Sequence, residues 1–234
     1  MTSQAEKEAD NKEDPKLLKF IHRWAMSPED AKEIARKYRK QSESAYPQDE
    51  PTRHQERVAD KIIGRYAKLS AMSGGATALT GVVPGIGTAL AALGGGLADT
   101  AVCMKLQVDM ACCLAECFGY DLNKEDARHL AFLIAAGGAI EKAGETVGVK
   151  LASEAGVRLL RSYIKGATLQ ALKEFFRRVG LVFTRKALER TLPFGVGVVI
   201  GSSANYALTR YVGAQAKEWF ILDRKTPHAD PKVS

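Results

Sequence analysis

From residue 16 onward the hydrophobic positions recur every three to four residues, and no run alternates with period two over a useful length. That pattern predicts an all-α protein without a sheet. Leu17, Leu18, Phe20, Ile21 and Trp24 fall near one face of a short amphipathic segment, Lys16–Ala25. Ser27-Pro28 then marks a helix start, with Ser27 as N-cap, Pro28 in the first helical position and Glu29 and Asp30 in the first turn. This helix is expected to reach about Lys40, with a polar linker over Gln41–Glu50. From Thr52 a helix carries Val58, Ile62, Ile63, Tyr66 and Leu69 at helical spacing. Further on, a helix should stop at Gly119-Tyr120-Asp121, and the next should begin at Asn123 with Asp126 three residues on. That helix carries Leu130, Phe132, Leu133 and Ile134 and is expected to loosen at Gly137-Gly138, Gly144 and Gly148. Helices over about 149–164 and 168–190 follow, and a last one ends near Leu222.

Two stretches break this amphipathic rhythm. Leu69 to Ala98 is 30 residues without a charge and holds eight glycines. Such a run would read as a membrane span, but Pro84-Gly85 near its middle removes a backbone donor and breaks a straight helix. Two short helices of about 14 residues, each below the roughly 20 needed to cross a bilayer, are expected as a re-entrant or buried hairpin. Thr191 to Thr209 is a second uncharged run, of 19 residues. It opens on Leu192-Pro193-Phe194-Gly195-Val196-Gly197, which parallels Val83-Pro84-Gly85-Ile86-Gly87 in the first. The pairs Gly81/Gly85, Gly144/Gly148 and Gly197/Gly201 are spaced to open a groove on a helix face where another backbone can approach. Both a membrane hairpin and the interior of a soluble bundle use that device. The fold expected is a helical bundle with glycine-rich apolar hairpins. It comprises a polar N-terminal region over 1–50, partly disordered and with a short helix, a helical domain over 51–222 and a polar tail over 223–234.

Charge sharpens the picture through its placement. The net +7 of the 234 residues is carried by the last third, where residues 151–234 hold 14 Lys and Arg against 6 Asp and Glu. Nine of those cations, Arg158, Arg161, Lys165, Lys173, Arg177, Arg178, Arg185, Lys186 and Arg190, lie in one segment with interleaved apolar residues. An amphipathic basic helix pair of this kind suits an anionic membrane surface. Nucleic acid is disfavoured, because no reading helix or stacking motif accompanies the charge. A solvated helix face is the plain alternative.

Candidate chemistry is sparse. The glycine run matches neither phosphate-loop pattern: Gly87 precedes Thr88 with no lysine between, and Leu90 stands where a third dinucleotide-loop glycine belongs. Cys103, Cys112, Cys113 and Cys117 fall on one helix, where packing as reduced thiols is expected, since the first fourteen residues are polar and lack a secretory signal's apolar core. Cys113, Cys117 and His129 lack the ligand spacing of a zinc site. No metal, cofactor or catalytic group is therefore assigned. An enzyme would need a cleft where Asp99, Asp109, Arg128, His129 or Glu141 converge. The polar residues at the edges of the apolar runs, Asp99, Asn205, Tyr206 and Arg210, are expected to form a structural hydrogen-bond network, with Lys105, Arg128, Lys142 and Arg210 as candidate partners for Asp99.

Residues 81–136, from Gly81 and the GVVPGIG turn to the EDARHLAFLIAA helix, resemble the EcsC family. So do residues 191–220, where Asn205, Tyr206, Thr209 and Arg210 match the family's Asn-Tyr and Thr-Arg pairs. The resemblance covers most of residues 55–221 and leaves the first 50 outside. It implies a bacterial, helical, membrane-associated protein and brings no catalytic residues. The expectation is a non-enzymatic protein, peripheral or partly inserted at the inner face of the cytoplasmic membrane, that assists a membrane protein complex. The alternative is a soluble helical module that binds a lipid-like ligand or a protein partner. The sequence sets no oligomeric state.

Overall fold

The computed structural model describes residues 16–72, 88, 95–144, 148–165, 170–179 and 197–226. These form α1 (Lys16–Trp24), α2 (Pro28–Ala45), α3 (Pro51–Met72), α4 (Gly95–Cys117), α5 (Glu125–Lys142), α6 (Glu154–Lys165), α7 (170–179) and α8 (Gly197–Lys225), with no strand among the described residues. The all-α expectation holds.

α4 and α5 are the centre of the bundle. Almost every side chain of α4 from Ala101 on, and of α5 from His129 to Ile140, is buried. A helix that is apolar all round must be covered on every side, and the neighbours supply the cover. α1, α2, α3 and α8 pack on α4, while α6 and α8 pack on α5. Trp219, Phe220, Phe176, Met110 and Leu114 are among the largest fully buried side chains. The four cysteines are buried thiols outside any disulfide, as the sequence predicts. Burial pushes the Cys113 thiol up to about 12 and the Cys117 thiol to about 11, so both stay protonated packing groups.

Several boundaries differ from those read in the sequence. Ser27 caps α2 by accepting from Asp30 N–H, as expected, but α2 runs on to Ala45 through the expected linker. Its last turn is held because Ser42 is buried and bonded to His54 Nδ1 at 2.9 Å. The N-cap of α5 is Lys124 rather than Asn123, and no side chain caps it. α5 does not loosen at Gly137-Gly138. A Cβ at Gly137 would lie 3.4 Å from Phe175 and one at Gly138 would lie 3.3 Å from Val212, so the glycines serve close packing. Gly144 and Gly148 form no groove: both adopt positive φ beyond the end of α5, where the helix has stopped as expected. α8 continues three residues past Leu222. The expected hairpin around Gly81, Pro84, Gly85 and Gly87, and the turn at Pro193 and Gly195, lie outside the described residues.

The tightest helix approach is at Gly213 of α8. A Cβ there would stand 2.8 Å from both Cγ1 and Cγ2 of Ile63 on α3 and 3.0 Å from Met110 Sδ on α4. The β-branched Ile63 is stiff at χ1 and cannot swing aside. Gly213→Ala is therefore expected to destabilise the fold by about 1–3 kcal/mol. At Gly64 of α3 nothing lies within 4 Å of an added Cβ, so Gly64→Ala should stabilise by up to about 1 kcal/mol through helix propensity. Urea unfolding of the two variants checks the opposite signs.

Candidate functional site

Contacts along α3 order the bundle from end to end. Near its start, Gln55 Nε2 donates to the Cys117 carbonyl at 2.8 Å, and Arg224 Nη1 donates to Gln55 Oε1 at 2.5 Å. Lys217 pairs with Asp60 at 2.8 Å, Tyr66 meets Cys113 at 3.5 Å, and Ser70 meets Cys103 at 3.5 Å. As α3 rises, α4 and α8 fall in number, so both run antiparallel to it. Met72, where the chain leaves α3, therefore lies toward the same end as Gly95 and Gly197, where it enters α4 and α8. At 1.5 Å per residue, the first turns of α4 and α8 extend about 10 Å beyond the level of Met72. The sequence of those turns, Gly95-Gly96-Leu97-Ala98 and Gly197-Val198-Val199-Ile200-Gly201, is small and apolar. Both uncharged runs of the sequence thus join the bundle at one end. Among the few large apolar side chains exposed in the described residues, Met72 at 75% and Tyr206 at 39% lie toward this end.

A second feature sits where α1 meets α2. Asp109 on α4 is 4% exposed and accepts from Lys105 Nζ at 2.5 Å and from the Met26 backbone N–H at 2.9 Å. Burial pushes its carboxyl up, while the Lys105 ammonium and the two donated hydrogen bonds pull it back. Met26 in turn touches Tyr66 and Cys113 through its sulfur. Above this junction lies a cleft of about 350 Å³ whose walls include His22, Met26, Cys112, Arg128, His129 and Phe132. His22 and His129 meet edge to face at 6.1 Å. His129 Nε2 lies 3.4 Å from Glu125 Oε1.

A match to the model of the EcsC protein family runs over residues 12–222. The chain belongs to the EcsC family. The span takes in α1 and α2, which the sequence reading left outside the resemblance, and their packing on α4 agrees with one continuous unit. No curated protein and no solved structure matches the chain.

In this EcsC chain the residues singled out from sequence scatter. Arg161 is not a surface cation. Its Nε bonds Asp223 Oδ1 at 2.6 Å, and its Nη2 reaches the carbonyls of Asp223 and Thr226 at 2.8 and 3.3 Å. It thereby caps the C-terminal end of α8, where cations complement exposed carbonyls, and Tyr120 donates to the same carboxylate. Arg158 pairs with Glu154 and Arg177 with Glu174. Lys173 and Arg178 are half-buried. Arg185, Lys186 and Arg190, and the side chain of Lys165, lie outside the described residues. The same holds for the side chains of Asp99, Gly197 and Gly201. Of the partners considered for Asp99, Lys105 is engaged by Asp109, and Lys142 lies 5.0 Å over the Tyr211 ring. Asn205 is half-buried while Tyr206 and Arg210 are exposed, and no hydrogen bond among the described residues joins the three. Thr209 is buried with its hydroxyl unpartnered among the described residues. Arg128 and His129 do share the cleft, with Asp109 beneath it. Glu141 instead bonds Leu151 N–H and Tyr211. Among the described residues no group of three or more His, Cys, Asp and Glu could hold a metal.

The sequence reading missed a stripe on α3. Lys61, Arg65, Lys68 and Met72 follow at i, i+4, i+7 and i+11, and all four are exposed. Helical spacing alone could have found them, since 61–98 contains no acidic residue.

Asp109→Leu should cost about 3–5 kcal/mol by leaving the Lys105 ammonium buried and unpaired. Lys105→Met/Asp109→Asn should recover most of that, because the amide oxygen still accepts from Met26 N–H. Denaturant titration separates the two. For His129, burial holds the imidazole below its ordinary value, with Glu125 opposing. The unfolded chain then takes up this proton near pH 6.5, before the folded one does. The stability contributed is present above that pH and is lost as pH falls below it. On acidification from about pH 7.5 to 5.5, the thermal midpoint of the wild type should fall further than that of His129→Gln.

Proposed function

We propose that this EcsC-family chain works by association rather than catalysis, docking on an anionic membrane surface through the end of the bundle that carries Met72 and the first turns of α4 and α8. One observation carries the reading. Two uncharged, glycine-rich runs far apart in sequence, 69–98 and 191–209, join the bundle at the same end. A bundle that merely buried such runs in its core would have no need to gather them there. No described helix is long and apolar enough to cross a membrane, so the attachment proposed is interfacial or re-entrant rather than a simple span. The role that fits such a device is to assist a membrane protein complex from one face of the bilayer.

A second reading, a helical module that binds a small apolar ligand, has the cleft between α1 and α5 in its favour, because Met26, Leu122 and Phe132 give it apolar walls.

Expressed without detergent, the full chain is expected to sediment with membranes and to be retained through a high-salt wash. Complete recovery in the soluble fraction, with no flotation on anionic vesicles, would sink the membrane reading. A co-purified small molecule seen by native mass spectrometry in such a preparation would favour the second.

A further inference from the structure

We infer that the outward stripe of α3, Lys61, Arg65, Lys68 and Met72, together with Arg210 of α8, is the surface that reads phospholipid headgroups. The inference rests on the membrane reading above and adds which face meets the lipid and what chemistry it selects. At 3.6 residues per turn the four stripe positions fall within about 60° of one another around the helix. The stripe runs directly toward the end where the apolar runs attach, so its last member, Met72, exposed at 75%, is the nearest to that end. Arg210 lies on the same face of α8 as Lys217, two turns nearer the α8 N-terminus. Because Lys217 pairs with Asp60 of α3, that face borders the α3 stripe.

Among the described residues no carboxylate offsets the charges on this face, and Arg65 hydrogen-bonds Tyr38 of α2. The acids of α3 all precede the stripe, and they are engaged: Glu56 with Arg53 and Asp60 with Lys217. α8 has no acid before Glu218. No ion pair among the described residues involves Lys61, Arg65, Lys68 or Arg210. Arg158, Arg161 and Arg177 differ, since each is neutralised by a carboxylate. Arg161 also sits with Asp223, next to Arg224 and its partner Gln55, which is about 25 Å along α3 from Met72. It is at the wrong end to share a headgroup layer with the apolar runs. An apolar tip at Met72, an amphipathic Tyr206 at 39% exposure and cations set behind them reproduce the order of a bilayer interface, acyl region first and phosphate next.

The test uses the full chain and two vesicle populations, phosphatidylcholine alone and phosphatidylcholine mixed with phosphatidylglycerol. Lys61→Gln/Lys68→Gln is compared with Lys40→Gln/Lys124→Gln, which removes the same charge from exposed positions on α2 and before α5. Circular dichroism and a melting curve confirm that both are folded. Wild type should bind the mixed vesicles far better than phosphatidylcholine alone. Each stripe cation should contribute roughly fivefold to partitioning, so the stripe variant should lose roughly 25-fold at low ionic strength, while the control stays close to wild type. If wild type binds the mixed vesicles but the stripe variant binds equally well, or both variants lose equally, the stripe is not the reading surface and the membrane reading survives. If wild type binds neither population, the membrane reading itself fails and takes the stripe with it.

Discussion

The missing side chain at Gly213 is the constraint on which the arrangement depends. α8 is 29 residues long and could lie along α3 in several registers. Only where the glycine faces Ile63 and Met110 can three backbones converge, because any Cβ at that level meets a β-branched side chain at 2.8 Å. Once Gly213 is set opposite Ile63, Lys217 falls opposite Asp60 and Arg224 opposite Gln55. The ion pairs follow the register rather than create it, since exposed pairs are worth a fraction of what close packing supplies. The same register decides that Gly197 lies toward the same end as Gly95 and beyond Met72. The gathering of the apolar runs at one end is thus a consequence of a packing contact about ten residues of α3 away.

The other end and flank are secured differently. α1 and the start of α2 reach the core through a buried Lys105–Asp109 pair, whose carboxylate also holds the Met26 N–H at the helix junction. A buried ion pair is weak evidence for net stability, because desolvation offsets much of the attraction. What it does supply is position: a backbone N–H that must find Asp109 can sit in one place only. Met26 is thereby set against Tyr66 and Cys113, and the adjoining cleft takes its shape from that placement. At the far end of α8, Arg161 plays a comparable part by meeting two terminal carbonyls and the Asp223 carboxylate together.

The sequence made the helices legible because their apolar spacing and caps are local. Ser27-Pro28 announces α2 without help from any other segment. Boundaries that depend on distant partners were not legible. The last turn of α2 looks like a polar linker until Ser42 is seen to be hydrogen-bonded to His54. Gly137-Gly138 looks like a break until Phe175 and Val212 are placed against it. The glycine pairs misled for a related reason. Gly144 and Gly148 have the spacing of a helix groove, yet both adopt positive φ beyond the end of α5, whereas Gly213, which does receive a neighbouring helix, has no glycine four residues away.

The basic residues carry the same lesson further. Counted along the chain, the segment from Arg158 to Arg190 is the most cationic and α3 is unremarkable. Among the described residues of that segment, Arg158, Arg161 and Arg177 each meet a carboxylate, which no cation of the α3 stripe does. A cation held by a carboxylate presents a dipole, whose field falls away faster than that of a lone charge and is screened within about 8–10 Å. Arg158 and Arg177 are in that state, and Arg161 is committed to ending a helix. Lys61 and Lys68 have no such partner among the described residues and share a face with Arg65. Lys61 and Lys68, set on one face, can impose an orientation on the molecule, whereas cations compensated within the fold add to net charge without giving it a direction. In this chain the direction given is toward the end at which both uncharged runs join the bundle.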